Sequence, residues 1–288
     1  MKKGLVIQGP LLSRGRTGRT INIGFSKVTE TDVVDYDCVA NIANIYNEFK
    51  DIYDHIICVT WNTEDRSKLK DVITILGEES VLILDDKTKK INSRGPIISD
   101  NNKYRQFFST QKGLDLLSQL GCELAVKVRT DQFSNYDCLL DVALESIKHN
   151  KVVVPWMNTS NILEADELPD LYFAGEVSLL NKLCSHYLES KEVDRLVHKD
   201  LFYCWSSYLG TKTLVPLKLM KKIKINLFKF NYVTNSWINN FTPGPETILK
   251  NMTWRGERVT NFAEDKLFLN NLESKEDFKQ IILNKFKR

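Results

Sequence analysis

The sequence predicts an α/β fold on a mixed, mainly parallel sheet, and three observations carry that expectation. Short aliphatic or β-branched runs alternate with amphipathic stretches through the first half of the chain, the pattern of successive β-α-β units. The 288 residues, 42% hydrophobic and 27% charged, suffice for the core of a single α/β domain. Two long polar segments, Ser13 to Ser26 and Asp85 to Asn101, begin where strands are expected to end. In parallel sheets that edge is where ligands bind, and long loops there are disproportionately functional.

The first expected strand is Leu5 to Gln8, stopped by Gly9-Pro10. Asp37 to Tyr53 carries Val39, Ile42, Ile45, Phe49 and Tyr53 at helical spacing, so a helix follows. His55 to Trp61 and Val81 to Leu84 are the next strands, each bounded by polar or turn residues. Ser99-Asp100 can cap a helix running to about Leu120, with Phe107, Leu114, Leu117 and Leu120 on its inner face. Leu124 to Arg129 and Lys151 to Pro155 complete the strands. Beyond residue 156 the pattern turns irregular and aromatic, as expected of a substrate-facing half built onto a nucleotide-binding one.

Composition narrows the function classes. A net charge of +3 is too small for the many phosphate contacts that nucleic-acid binding needs, so no nucleic-acid partner is expected. Six scattered cysteines with no Cys-x-x-Cys pair read as buried free thiols in a reducing compartment, and give zinc no ligand cluster. The apolar run near the N-terminus is too short for a signal sequence or a membrane span, so a cytoplasmic protein is expected. His55, His149, His186 and His198 are dispersed, and each reads as a surface or helix-end residue. Leu217 to Phe230 interleaves basic and apolar residues. It suits peripheral contact with an anionic inner-membrane surface, or an amphipathic element with a solvated lysine face.

Chemistry concentrates in a few places. Gln8, Gly9 and Pro10 lead into an Arg- and Gly-rich segment that could approach phosphate, or form a solvated basic turn. It is neither a Walker A loop nor a G-x-G-x-x-G fingerprint. The helix near residue 105 bears a polar stripe of Arg105, Ser109 and Lys112. The strand that follows is apolar until Lys127 and ends Arg129-Thr130-Asp131. A strand-end carboxylate can hold a divalent cation that screens a diphosphate, or merely cap a turn, with Lys127 and Arg129 facing water. Leu168 to Glu176 sets aromatic residues beside Asp170, an arrangement that suits sugar rings or an ordinary strand core. Glu246, after Pro243-Gly244-Pro245, sits where a helix dipole alone would favour an acid.

Three blocks resemble the WavE lipopolysaccharide-synthesis family, with the GT-A-type glycosyltransferases behind it. They are Val6-Ile7-Gln8-Gly9-Pro10, the run Asn102-x-x-Arg105-Gln106-x-x-Ser109-Thr110-x-x-Gly113-Leu114, and Lys127-x-Arg129-Thr130-Asp131-Gln132. Pro169 to Gly175 and Pro245-Glu246 match more loosely. The resemblance implies a GT-A-like, Rossmann-type domain over 1–288. Its half 1–135 would bind a nucleotide-sugar donor, and its half 136–288 a glycan or lipid-linked glycan acceptor of lipopolysaccharide or capsule synthesis. It assigns Gln8, Gly9, Pro10, Asn102, Arg105, Gln106, Lys127, Arg129 and Asp131 to the donor. Asp131 would hold Mg2+ or Mn2+, and Glu246 or Asp170 would act as catalytic base. Position 129 is Arg where the family's Asp-x-Asp motif has its first Asp, so Arg129 or Lys127 could neutralise the diphosphate instead. The rivals are a nucleotidyltransferase that makes a nucleotide sugar and a non-catalytic assembly protein.

Overall fold

The structure, a computed structural model, describes residues 1–16, 33–86, 102–158, 165–190, 197–213, 216, 227–259, 266–267 and 280. In chain order, the first elements are β1 (Lys2–Gln8), β2 (Leu12–Arg16), β3 (Val33–Asp37), α1 (Val39–Phe49), β4 (His55–Trp61), α2 (Arg66–Leu76) and β5 (Val81–Leu84). The middle holds α3 (Asn102–Gln119), β6 (Cys122–Arg129), β7 (Gln132–Phe133), α4 (Cys138–Ile147), β8 (Val152–Val154), β9 (Met157–Asn158), β10 (Phe173–Glu176) and α5 (Val177–Glu189). Then follow α6 (Val197–Tyr208), α7 (Leu227–Asn240), β11 (Phe241–Pro243), α8 (Glu246–Lys250), β12 (Thr253–Trp254), β13 (Glu257–Arg258) and β14 (Lys266–Leu267).

Seven strands form the central sheet in the order β11-β8-β10-β6-β1-β4-β5. β5, β4, β1 and β6 are parallel, and β8 and β11 share their direction. Only β10 is reversed, antiparallel to β6 on one side and β8 on the other. The sheet is buried on both faces, which is why its central strands read as near-continuous apolar runs. Val6, Val59 and Ala125 face Phe107, Leu114, Leu183, Trp205 and Trp237, from α3, α5, α6 and α7. Leu5, Ile7, Val126 and Val128 face Ile42, Ile45, Leu139 and Ala143, from α1 and α4. The chain is thus an α/β protein with a mixed, mostly parallel sheet flanked by helices.

The expected strands His55–Trp61 and Val81–Leu84 are observed with those bounds. The expected helix from Asp37 begins instead at Val39, because Val33–Asp37 pairs with β2 as an antiparallel hairpin. The first polar segment is therefore partly strand, and its residues 17–32 lie outside the described residues, as do 87–101 of the second. Helix α2 was not anticipated, although its signals are present. Asp65 accepts bonds from the Ser67 and Lys68 backbone amides, and Val72 and Leu76 are buried at helical spacing.

Beyond residue 156 the chain is more regular than its pattern suggested, adding two strands to the central sheet and three helices of 12 to 14 residues. Tyr172 and Phe173, considered as sugar-stacking rings, are buried in the core at 2% and 1% exposure. Most of the basic run Leu217 to Phe230 lies outside the described residues. Its Lys229 is no solvated residue but a buried ion-pair partner of Asp166, at 2.9 Å. Among the described residues no helix is long and apolar enough to cross a membrane. All six cysteines are free thiols.

Candidate active site

Strand order reverses at β1, with β4 and β5 on one side and β6 on the other. At such a point the loops leaving adjacent strands diverge and open a crevice beyond the carboxyl ends. Parallel register sets Gln8 beside Arg129, so Gly9-Pro10 and Thr130-Asp131 leave the sheet side by side. The two turns are locked together. Thr130 donates its amide to the Gln8 carbonyl (3.1 Å) and its hydroxyl to the Pro10 carbonyl (2.8 Å). Gly9 has φ +147°, and a Cβ there would lie 2.4 Å from Thr130 Oγ1, so the close approach requires glycine. Asn41 of α1 donates its side-chain amide to the carbonyls of Thr130 (2.8 Å) and Gln132 (2.9 Å), pinning the chain on both sides of Asp131.

Asp131 is 2% exposed and is the hub of the site. Arg129 donates from Nε to Oδ1 (3.0 Å) and from Nη2 to Oδ2 (3.1 Å). Oδ2 also receives the Ser13 hydroxyl (2.8 Å) and Trp254 Nε1 (3.2 Å), and pairs with Arg255 Nη2 (3.0 Å). Arg255 donates its Nε to Ser13 Oγ (3.0 Å) and its backbone amide to the Asp131 carbonyl (2.9 Å). Both guanidinium groups lie over the Trp254 ring, at 4.8 Å for Arg255 and 5.9 Å for Arg129. Burial alone would raise the Asp131 pKa, but Arg129, Arg255 and the Ser13 hydroxyl together hold it well below the usual carboxylate range.

The local fold explains how Arg255 arrives. β12 pairs with β7, immediately after Asp131, and turns back into β13 through Arg255-Gly256. Both turn residues have positive φ, +49° and +81°, as a tight two-residue hairpin requires. That conformation is costly for arginine, and the bonds to Asp131 and Ser13 hold it there.

A second group adjoins the first. Lys127, assigned to the donor by the resemblance or else expected to face water, is on a central strand and fully buried. Its Nζ donates to the Asp170 carbonyl (2.9 Å) and lies 5.2 Å from the Phe173 ring centre. Gln106 Nε2 donates to the same carbonyl (3.1 Å). Burial lowers the Lys127 pKa to about 7 against the pull of Asp170. The Asp170 carboxylate contacts His198 Nε2 at 3.4 Å. Burial would raise the Asp170 pKa, yet His198, Arg129 and Lys127 hold it well below its ordinary value.

The structure thus brings together Gln8, Gly9, Pro10, Gln106, Lys127, Arg129, Asp131 and Asp170. Arg105 stands further along the same edge, paired with Asp86 at 2.6 Å just after β5. Asn102 opens α3, and its side chain lies outside the described residues. Glu246 opens α8 and pairs with Lys250 one turn on (2.8 Å), and among the described residues no bond links it to Asp131 or Asp170. Ser13, His198, Trp254 and Arg255 were not singled out by sequence. The one legible signal was Arg255-Gly256 between short β-prone pairs.

A divalent cation takes six or more oxygen ligands. Both Asp131 oxygens already face guanidinium groups, and among the described residues no three His, Cys, Asp or Glu side chains could hold a metal. In this arrangement the Asp131 carboxylate is taken up by arginine rather than offered to a cation. What the arrangement supplies is a set of oriented cationic groups: Arg129 and Arg255 meet at the Asp131 carboxylate, with Lys127 and Asp170 beside them.

No protein-family model matches the sequence, so the resemblance to the WavE family remains one of motifs. No curated protein matches it either. Solved structures do, at low similarity. A 4-diphosphocytidyl-2C-methyl-D-erythritol synthase from Anaerococcus prevotii is 17% identical, covering 70% of this chain and 81% of its own, with TM-score 0.40. A nucleotidyl transferase from Methanothermobacter thermautotroptrophicus is 14% identical over 70% of this chain and 81% of its own, with TM-score 0.36. A nucleotide-diphospho-sugar transferase, so described as putative, from Desulfovibrio desulfuricans is 9% identical over 70% and 75%, with TM-score 0.38.

Proposed function

We propose that this chain is a nucleotide-sugar-dependent glycosyltransferase whose donor diphosphate is held by Arg129 and Arg255. The observation that carries the reading is the convergence of these two guanidinium groups on one carboxylate, beyond the carboxyl ends of β1 and β6. Asp131 orients both guanidinium groups at this edge of the sheet. Planar guanidinium groups match phosphate oxygens bidentately and stabilise the charge that a departing diphosphate acquires. Gly9 brings backbone close to the same place. A cell-surface glycan acceptor, with Asp170 on its side, rests on the motif resemblance.

The test is thermal unfolding with UDP, GDP or CMP, each with Mg2+, with Mn2+ and with EDTA. A ligand specific to the native state must raise the melting temperature. The expected result is stabilisation by one nucleoside diphosphate that survives EDTA and is lost in Arg255→Ala. Removing one charge-assisted bond should cost about 1.5–3 kcal/mol, roughly ten- to a hundredfold in affinity. Stabilisation that vanishes with EDTA would restore Asp131 as a metal ligand. Pyrophosphate release from a nucleoside triphosphate would instead identify a nucleotidyltransferase. No stabilisation by any nucleotide would favour an assembly protein.

A further inference from the structure

Transfer to a hydroxyl needs a proton acceptor, and the two carboxylates considered for that task are poorly placed for it. Glu246 is engaged with Lys250 (2.8 Å). Asp170 is nearly buried, and His198, Arg129 and Lys127 favour its charged form. His198 differs from both. It lies in the first turn of α6, its side chain is 47% exposed, and its Nε2 edge contacts Asp170 Oδ1 at 3.4 Å. Its carbonyl accepts the Leu168 amide (3.0 Å), which ties the start of α6 to the segment carrying Asp170. Lys127 and Gln106 fix that segment from below through the Asp170 carbonyl. The imidazole therefore stands at the open side of a rigid support, next to the proposed diphosphate site.

We propose that His198 is the proton acceptor of the transfer reaction and that Asp170 is its positioning residue. Contact of Nε2 with Asp170 Oδ1 fixes the tautomer, with the proton on Nε2 and the lone pair on Nδ1. In the reaction the acceptor hydroxyl oxygen bonds to the anomeric carbon of the donor sugar. The bond from that carbon to the diphosphate breaks, its electron pair leaving on the diphosphate oxygen, and the hydroxyl proton passes to Nδ1. The inference rests on the transferase reading above and names the group that reading lacks.

The charged groups around the imidazole set the sign of its pH response. Burial and Arg129 lower its pKa, while Asp170 and Glu167 raise it, and the net shift is upward from 6.5. On its own helix Lys199 is paired with Asp166, at 3.0 Å, and Asp200 is buried. Two measurements on the full chain test the proposal. The first follows the His198 ring by NMR titration in the wild type and in Asp170→Asn. The expected midpoint lies above 6.5 in the wild type and falls in the variant. An unshifted midpoint, or one indifferent to Asp170→Asn, overturns the pairing whatever the reaction. The second measures UDP and GDP binding, and consumption of UDP-glucose, UDP-N-acetylglucosamine and GDP-mannose, in wild type and His198→Ala. His198→Ala should bind nucleotide within about threefold of wild type and lose about a hundred- to ten-thousandfold in turnover. Asp170→Asn should move the rising limb of the pH profile to lower pH. A His198→Ala enzyme that turns over normally sinks the proposal alone, whereas a wild type that binds neither nucleotide sinks the transferase reading. Where nucleotide binds without measurable consumption, the titration decides.

Discussion

Asp131 carries an unusual load for one side chain, because it is both the counterion of two arginines and the anchor of two turns. Removing its charge leaves Arg129 and Arg255 facing each other with little water to screen them. Breaking a buried pair in this way typically costs about 3–5 kcal/mol, and Asp131→Asn should show that loss in chemical denaturation at neutral pH. The acid response follows from the direction of the shift. Asp131 titrates lower in the folded protein than its ordinary 3.8, so its contribution is fully present above that value. It is lost as pH falls below 3.8 through the depressed folded value. Asp131→Asn should therefore flatten the acid limb of a stability–pH curve measured by denaturant midpoint. Asp170 is shifted the same way, and leaves part of that limb in place. Sequence reached Asp131 because a carboxylate ending an apolar strand is conspicuous. It did not reach Arg255 or His198, whose relevance depends on contacts 124 and 28 residues away in the chain, from Asp131 and Asp170 respectively. Lys127 shows the same limit, since the sequence left it between a donor role and a solvated strand end. A lysine near a strand end usually faces water, and only the neighbouring β10 and α5 make this one internal.

At the level of elements, the hairpin β12–β13 is short and owes its place to what its turn touches. Gly256 has φ +81°, and a Cβ there would sit 3.3 Å from the Tyr36 ring on β3. Gly256→Ala should cost about 1–2 kcal/mol from the left-handed backbone alone. Because the turn aims Arg255, the variant should also weaken nucleotide-diphosphate binding without touching a phosphate ligand. Isothermal titration beside a thermal melt would separate the two effects. Unchanged affinity would show that Ser13 and Asp131 hold Arg255 without help from the turn. The strands were legible at this scale because burial on both faces gives them unbroken apolar runs. The hairpin was not, because two-residue strands have no periodicity to read. Helix α2 lay between these cases: its Asp65 cap and the spacing of Leu69, Val72 and Leu76 were in plain view but muted by a polar exposed face.

For the whole molecule, the sheet decides how far the two expected halves are separate bodies. β10 lies between β6 and β8, and one side of the sheet is covered by helices from both halves. A division near residue 135 would thus cut through a single core. Unfolding should be one cooperative transition, with far-UV circular dichroism and tryptophan fluorescence giving the same midpoint. Four of the five tryptophans, Trp156, Trp205, Trp237 and Trp254, lie after residue 135. Leu5→Ala, a fully buried change on β1, should cost about 2–5 kcal/mol. It should lower the fluorescence midpoint as much as the dichroism midpoint; a fluorescence signal that ignores it would reveal two independent units.

The reversal of β10 has a consequence for how such a site can diversify. A parallel strand offers its reactive edge only the residues that come after it, and those lead at once into the next crossover helix. A strand running the other way offers the residues that come before it. Here that is the stretch ending in Asp170, delivered to the edge because Phe173 pairs with Lys127. Its length is set by no crossover, and additions ahead of residue 165 would leave the pairing of Phe173 with Lys127 in register. The wall of the crevice that carries Asp170 can therefore lengthen, shorten or change composition while the arginines beside it keep their places.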